Sequence, residues 1–190
     1  MISSVTDFTG ALYLPNINEV ATTSYKTDFL AFLEAKENEW LKIMFGYDLG
    51  KKIADAYAAY IAVPSVPLES RYAAIINGVE FTDSFGHPNK WEGLKGANSP
   101  VLPYVYWTWL MTKVTNTTIS GEMLNEVENS VSVGYTDKIA SNYNAAVDSN
   151  QILLNYLQTH SATYPEFNAY FDWFTARRRG LLTKINSFGI

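Results

Sequence analysis

The residues from Val101 to Met111 form the most apolar and most aromatic stretch of this sequence, Val-Leu-Pro-Tyr-Val-Tyr-Trp-Thr-Trp-Leu-Met. A helix needs about 20 apolar residues to cross a bilayer, whereas this run is much shorter and is interrupted by Thr108. A helix buried in a protein core fits both the length and the composition. Pro100 and Pro103 are tolerated there because the first turn of a helix does not need their N–H groups. The sequence therefore predicts a central buried helix from about Val101 to Thr117.

Length and composition favour one compact domain. With 190 residues, of which 47% are hydrophobic, the chain can bury a core without help from metals or disulfides. It has no cysteine, which excludes a disulfide framework, a thiolate nucleophile and every cysteine-based zinc site. Residues 1–8 lack the basic and apolar regions of a secretion signal, so we expect synthesis in the cytosol and no membrane anchor.

Charge and aromatic content favour contacts with other proteins. The formal net charge is -5, which argues against a broad basic surface that grips nucleic-acid phosphates, although a protein that lies alongside DNA is still allowed. Aromatic residues reach 15%, and Tyr and Trp are favoured where one protein surface packs on another. Core packing alone and subunit contacts both remain open as reasons for this surplus.

Apolar side chains at helical spacing predict five further helices. They are Ser24–Phe45, a second helix that Asp48 caps and Pro64 ends, Leu68–Ile76, Thr136–Thr159 and Phe167–Phe174. The charged residues of the first helix, among them Glu37 and Glu39, are expected on its solvent face. Arg177, Arg178 and Arg179 are expected at a helix C-terminus.

The remaining segments carry turn residues or lack periodicity. We predict an N-terminal arm over 1–23, an insertion over 77–96, a long loop over 120–135 and a C-terminal tail over 180–190. Within the insertion, Val79–Thr82 and Asn89–Glu92 can pair as a small projecting hairpin. The predicted fold is therefore mainly α: one small helical bundle with a short β-hairpin insertion and extended N- and C-terminal arms.

The sequence contains no recognisable catalytic pattern. His87 and His160, the two histidines, have no second ligand at metal-binding spacing, and no glycine-rich phosphate loop occurs. A glycosidase needs two carboxyl groups, one with a raised pKa, and Glu122, Glu126 and Glu128 are the candidates. Their polar segment is the wrong setting for a raised pKa, so a solvated acidic face is the favoured interpretation. We therefore predict no enzyme, no catalytic residue, no metal and no cofactor.

Arg177-Arg178-Arg179 is the one basic cluster. Cations at a helix C-terminus are stabilised by the helix dipole, which explains the cluster without a partner. An interface patch that meets carboxylates of a neighbouring subunit, or DNA phosphates in passing, explains it equally well. Both interpretations remain open at this stage.

Four stretches together resemble the head-to-tail connector proteins, also called adaptor or ring proteins, of tailed bacteriophages, particularly the crAss-like group and other phages of Bacteroides-type hosts. The stretches are Phe32–Leu41 with Met44–Leu49, Tyr104–Leu110, Gly121–Glu122 with Lys138–Asn144, and Ile185–Ile190. The resemblance rests on pattern and order, since none of them is a catalytic signature.

This resemblance implies a virion structural protein at the neck between head and tail, made in the host cytoplasm. The subunit would form a homo-oligomeric ring of about twelve copies, bound to the portal protein and to other ring or tail proteins. DNA would pass through the channel without sequence-specific binding, and no membrane is involved. Our interface hypothesis assigns subunit contacts to Arg177, Arg178, Arg179, Phe85, Trp91, Phe188 and Ile190. The alternatives are a DNA-associated module that uses Arg177–Arg179 and, third, a cell-wall glycosidase.

Overall fold

The structure is a computed structural model, and it describes residues 1–14, 17, 24–118, 121–124 and 135–185. Seven α-helices and four short strands lie in these residues. The helices are α1 (Ser24–Phe45), α2 (Tyr47–Ala62), α3 (Ser70–Asn77), α4 (Val101–Val114), α5 (Tyr135–Thr159), α6 (Pro165–Tyr170) and α7 (Trp173–Arg178). The strands are β1 (Val79–Thr82), β2 (Pro88–Trp91), β3 (Thr115–Thr118) and β4 (Gly121–Leu124). The predicted mainly α bundle with a β-hairpin is confirmed.

Helices α1 and α2 form a helical hairpin around a single-residue connection. Gly46 makes this turn with a φ of 76°, a value that favours glycine. Close to the turn, a Cβ atom at Gly50 would come within 2.8 Å of the Leu41 carbonyl oxygen. A residue without a side chain is therefore what lets the two helices approach so closely.

The predicted central helix is α4, and its aromatic residues are part of the core. The indole of Trp109 meets the rings of Phe29 and Phe32 edge-on, with centroids 5.1 and 5.0 Å apart. The helix ends at Val114, before the predicted Thr117, because the threonine-rich run Thr115–Thr118 continues as strand β3. Threonine is β-branched and favours strands over helices.

Strand β4 replaces part of the predicted loop over 120–135. It pairs antiparallel with β3, and Thr115 lies opposite Leu124 at the start of the register. Residues 119–120 and 125–134 lie outside the described part of the chain.

The predicted N-terminal arm packs on its own subunit. Ile2, Phe8, Leu12 and Leu14 are buried in the core, and the ring of Phe8 meets that of Phe29 at 5.2 Å. Residues 1–14 of the predicted arm therefore lie against the rest of their own chain, because these apolar side chains find their burial there. Residues 15–16 and 18–23 are not described.

Glu37 holds the start of this arm, which corrects its expected place on the solvent face. Its side chain is only 3% exposed, and its two carboxylate oxygens each accept a hydrogen bond of 2.7 Å from the backbone N–H groups of Ile2 and Ser3. A buried carboxylate needs such partners to offset the loss of water.

The predicted aromatic helix Phe167–Phe174 is divided into α6 and α7. Asp172 stands between them, and its carboxylate accepts hydrogen bonds from the backbone N–H groups of Phe174 and Thr175. Asp172 therefore caps the N-terminus of α7, and the preceding helix α6 ends before it.

The C-terminal tail is held on α5 as far as the structure describes it. The Asn144 side-chain amide donates to the Ile185 carbonyl at 2.7 Å and accepts from the Ile185 N–H at 2.8 Å. The Asn150 amide donates to the Leu181 carbonyl at 2.8 Å. The first half of the predicted tail therefore docks on its own subunit, while 186–190 lie outside the described residues.

Candidate subunit interface

Helix α7 exposes two aromatic and two cationic side chains, which we call the α7 patch: Trp173, Phe174, Arg177 and Arg178. Phe174 is 73% exposed and Trp173 is 45% exposed. The guanidinium of Arg178 lies over the Phe174 ring, 5.8 Å from its centroid. Aromatic side chains and arginine are the residue types enriched at protein interfaces and at binding hot spots.

The inner side of α7 fixes the direction in which the patch faces. Ala176 is fully buried, and the Trp173 ring meets Phe171 edge-on at 4.9 Å, which continues a stack that starts at Phe167. The Thr175 hydroxyl and the two backbone N–H groups that bond Asp172 hold the pKa of that carboxyl below its usual value. The patch is thus presented by an ordered helical turn.

Arg179 differs from its two neighbours because its own subunit engages it. Its guanidinium lies 3.6 Å from a carboxylate oxygen of Glu39. Burial, together with the nearby Glu39, raises the pKa of the Tyr104 phenol to about 12. Of the three predicted arginines, the structure brings Arg177 and Arg178 together with exposed aromatics, whereas Arg179 is exposed but pairs with Glu39 of the same chain.

The hairpin of β1 and β2 exposes Phe85 in the turn between its two strands. We call this turn, residues 83–87, the hairpin tip. Phe85 is 84% exposed. The Asp83 carboxylate organises the tip by accepting hydrogen bonds from the backbone N–H groups of Phe85 and His87, each at 2.9 Å, and from the Asn89 amide at 3.1 Å. The hydrogen bond from the His87 N–H has the largest effect, and together with the bond from the Phe85 N–H it holds the pKa of Asp83 below its usual value.

Replacing Asp83 by asparagine is expected to flatten the dependence of stability on pH in acid. Because the folded protein lowers the pKa of Asp83, this carboxylate stabilises the fold above its usual pKa of about 4 and loses its contribution as the pH falls through the folded value. Urea unfolding between pH 7 and pH 3 should therefore show wild type and Asp83→Asn converging in acid. Asp28→Asn, on the exposed face of α1, controls for the change in net charge. If the difference in stability between wild type and Asp83→Asn stays constant with pH, the Asp83 carboxylate does not stabilise the fold in this way.

Trp91, predicted at the interface, belongs to the core. It is fully buried, and its indole N–H donates to the Ile75 carbonyl at 2.8 Å. In the hairpin register Val79 lies opposite Trp91, and alternation along the strands turns Trp91 and Phe81 inward. The prediction for Trp91 is therefore wrong. Phe188 and Ile190, also predicted at the interface, lie outside the described residues.

A third surface was not anticipated from the sequence. No charged residue occurs between Ala56 and Leu68, and Ile61, Val63 and Val66 are each at least half exposed. A groove of about 180 Å³ runs beside them, lined mostly by the end of α2 and the loop before α3. The absence of charged residues over this stretch is the sequence signal that could have predicted an exposed apolar surface. Exposed apolar areas of this kind mark contact surfaces.

Histidine and carboxylate side chains of the described residues bear on the metal and glycosidase alternatives. No group of three or more histidine or carboxylate side chains among them has metal-binding geometry. The Glu166 carboxylate pairs with Lys52 at 2.6 Å, which lowers its pKa, whereas a general acid needs a raised one. Of the glycosidase candidates, Glu122 lies in β4 while Glu126 and Glu128 fall outside the described ranges.

Comparison with protein-family models, with curated proteins and with solved structures found no match. No described helix combines the length and the apolar character that a membrane span requires.

Proposed function

We propose that this protein is a structural subunit of a tailed-phage virion that assembles into a ring at the portal vertex, joins head to tail and leaves a channel for DNA. The resemblance to connector proteins motivates the proposal. The observation that carries it is the exposure of aromatic side chains at two separate surfaces of one subunit, the α7 patch and the hairpin tip.

The two surfaces lie at different points along α5. The α7 end is fixed beside Tyr143, whose hydroxyl donates to the carbonyl of Gly180. The hairpin lies beside the other end, where the Phe81 ring meets Tyr156 at 5.2 Å and His160 at 6.1 Å. The α7 end is also bonded at Asn150, through the Leu181 carbonyl. At 1.5 Å per residue, the helical span between the two sets of contacts is about 9 Å from Asn150 to Tyr156 and about 25 Å from Tyr143 to His160. Two different surfaces on each subunit are what a head-to-tail ring needs, since each contact joins unlike patches.

The charge of the chain supports a channel that does not bind DNA tightly. Nineteen acidic residues stand against fourteen basic ones. If each subunit neutralised several phosphates, repetition around a ring would multiply a weak contact into very tight binding. An acidic subunit avoids holding the DNA that has to pass.

The ring proposal predicts that the purified chain, mixed with the portal protein encoded in the same genome, forms a species of about twelve subunits on the portal. Mass photometry across a concentration series measures this directly. The chain without portal and the portal without the chain are the controls. Only monomers alongside unoccupied portal, at the highest concentration, would contradict the proposal.

A DNA-associated module is the second candidate, and one observation favours it. The α7 patch combines exposed rings with two arginines, which is the combination that stacks bases and pairs phosphates in single-strand binders. Such a protein loses affinity steeply as salt rises. Fluorescence anisotropy with a labelled oligonucleotide between 50 and 200 mM salt separates the two candidates, because a channel subunit binds weakly throughout.

A further inference from the structure

We propose that the α7 patch of one subunit docks on the hairpin of a second copy of the chain. This inference rests on the proposed ring and names the two surfaces that build it. Phe85 would meet Trp173 and Phe174, and the two arginines would meet the carboxylates of Glu80 and Glu92, which lie toward the base of the hairpin.

The first support is the unpaired charge of the α7 patch. No carboxylate of the described residues lies within ion-pair distance of Arg177 or Arg178, whereas Arg179 reaches Glu39; the Asp172 carboxylate acts on Arg178 only at longer range, where the guanidinium helps to lower the pKa of Asp172. Both side chains are exposed at the end of α7. Two adjacent guanidinium groups beside exposed rings favour a partner that offers carboxylates together with apolar area.

The second support is the opposite charge of the hairpin. Residues 79–92 hold three carboxylates, at Glu80, Asp83 and Glu92, against one ammonium group, at Lys90. Glu80 and Glu92 are both exposed, and Lys90 pairs with Glu92 at 3.0 Å. The Asp83 side chain is only 8% exposed and holds the tip, so the carboxylates open to a partner are Glu80 and Glu92, toward the base of the net negative hairpin.

The third support is geometry. The α7 end is bonded at Tyr143 and Asn150, whereas the hairpin contacts Tyr156 and His160, so the two surfaces are anchored at different positions along α5. This separation favours a contact between copies, in which each copy keeps one unused surface of each kind for the next. This arrangement propagates head to tail and closes when the rotation divides a full turn.

The uncharged end of α2 is a poorer partner for the α7 patch. Its rim carries one carboxylate, Glu69, which lies 2.8 Å from the guanidinium of Arg71, whereas the hairpin offers exposed Glu80 in addition to the Lys90–Glu92 pair. The end of α2 therefore matches the aromatic half of the patch but offers the arginines fewer counter-charges.

Charge reversal tests the pairing. One variant carries Arg177→Glu with Arg178→Glu, and the other carries Glu80→Lys with Glu92→Lys. Each alone places like charges in the contact, so mass photometry with portal present should show at least a tenfold loss of the subunit ring relative to wild type. An equal mixture of the two variants should restore it, because every contact in an alternating ring then joins opposite charges.

Asp28→Lys with Glu34→Lys, on the exposed face of α1, is the control matched in net charge to the Glu80→Lys and Glu92→Lys variant, and it should leave the ring intact. Thermal unfolding confirms that each variant is folded. The inference is overturned if either reversal variant assembles like wild type, or if the mixture fails to restore the ring while both variants are folded. Either result leaves the ring itself standing, whereas wild type that never assembles on portal removes the proposed function.

Discussion

Replacing Glu37 by alanine is expected to lower the free energy of unfolding by about 3 kcal/mol, the cost of leaving buried hydrogen-bonding groups without a partner. The carboxylate accepts hydrogen bonds from the N–H groups of Ile2 and Ser3 at the start of the N-terminal arm, at a site that is only 3% exposed. Loss of this anchor also weakens the packing of Ile2 and Phe8. Urea unfolding followed by circular dichroism measures the change.

Two further variants make the Glu37 result interpretable. Glu34→Ala removes a carboxylate from the exposed face of the same helix and should change stability by less than about 0.5 kcal/mol. Glu37→Gln keeps one acceptor oxygen and should fall between wild type and alanine. Limited proteolysis should cut the first residues of Glu37→Ala sooner than those of wild type. Equal stability of Glu37→Ala and Glu34→Ala would refute the anchoring role.

Replacing Gly93 by alanine should destabilise the protein by about 3 kcal/mol, because a left-handed backbone and a backbone clash add together. Gly93 has a φ of 96°, and a Cβ atom there would lie 2.7 Å from the Gly78 nitrogen and 2.7 Å from the Ile76 carbonyl oxygen. The base of the hairpin crosses the end of α3 at this point, and backbone atoms on both sides cannot move aside cheaply. Thermal unfolding reports the loss.

Gly86→Ala separates the two causes. Gly86 has a similar φ of 85°, but a Cβ atom there meets nothing within 4 Å. The Gly86→Ala variant should therefore lose only the free energy that the left-handed backbone costs, about 1 kcal/mol. If Gly93→Ala and Gly86→Ala lose the same stability, the close approach at the hairpin base does not contribute.

Helix boundaries show how far local patterns reach. Residues 24–45 and 136–159 were predicted almost to the residue, because long amphipathic periods and the glycine at 46 act locally. The central helix was predicted three residues too long, since the strand that follows depends on pairing with β4. Strand pairing depends on both segments, so the sequence of either segment alone predicts it only weakly.

Glu37 and Trp91 show where residue type misled. By spacing, Glu37 falls on the buried stripe between Leu33 and Trp40, yet its charge placed it at the surface in the prediction. Trp91 was placed at an interface because tryptophan is frequent there. Each error placed a buried side chain on the exposed side of its helix or strand. The buried position depends on a partner distant in sequence, which is the N-terminal arm for Glu37 and α3 for Trp91.

The sequence alone determined the mainly α class, the helical periods, the hairpin and the position of the arginine cluster at a helix end, because these depend on residues a few positions apart. Only the tertiary structure decided which of the exposed arginines has an ion-pair partner. Arg179 pairs with Glu39 on α1, whereas Arg177 and Arg178 lie beside Trp173 and Phe174. Contacts between residues that are far apart in the chain depend on how the elements pack, and packing leaves no period in the sequence to read.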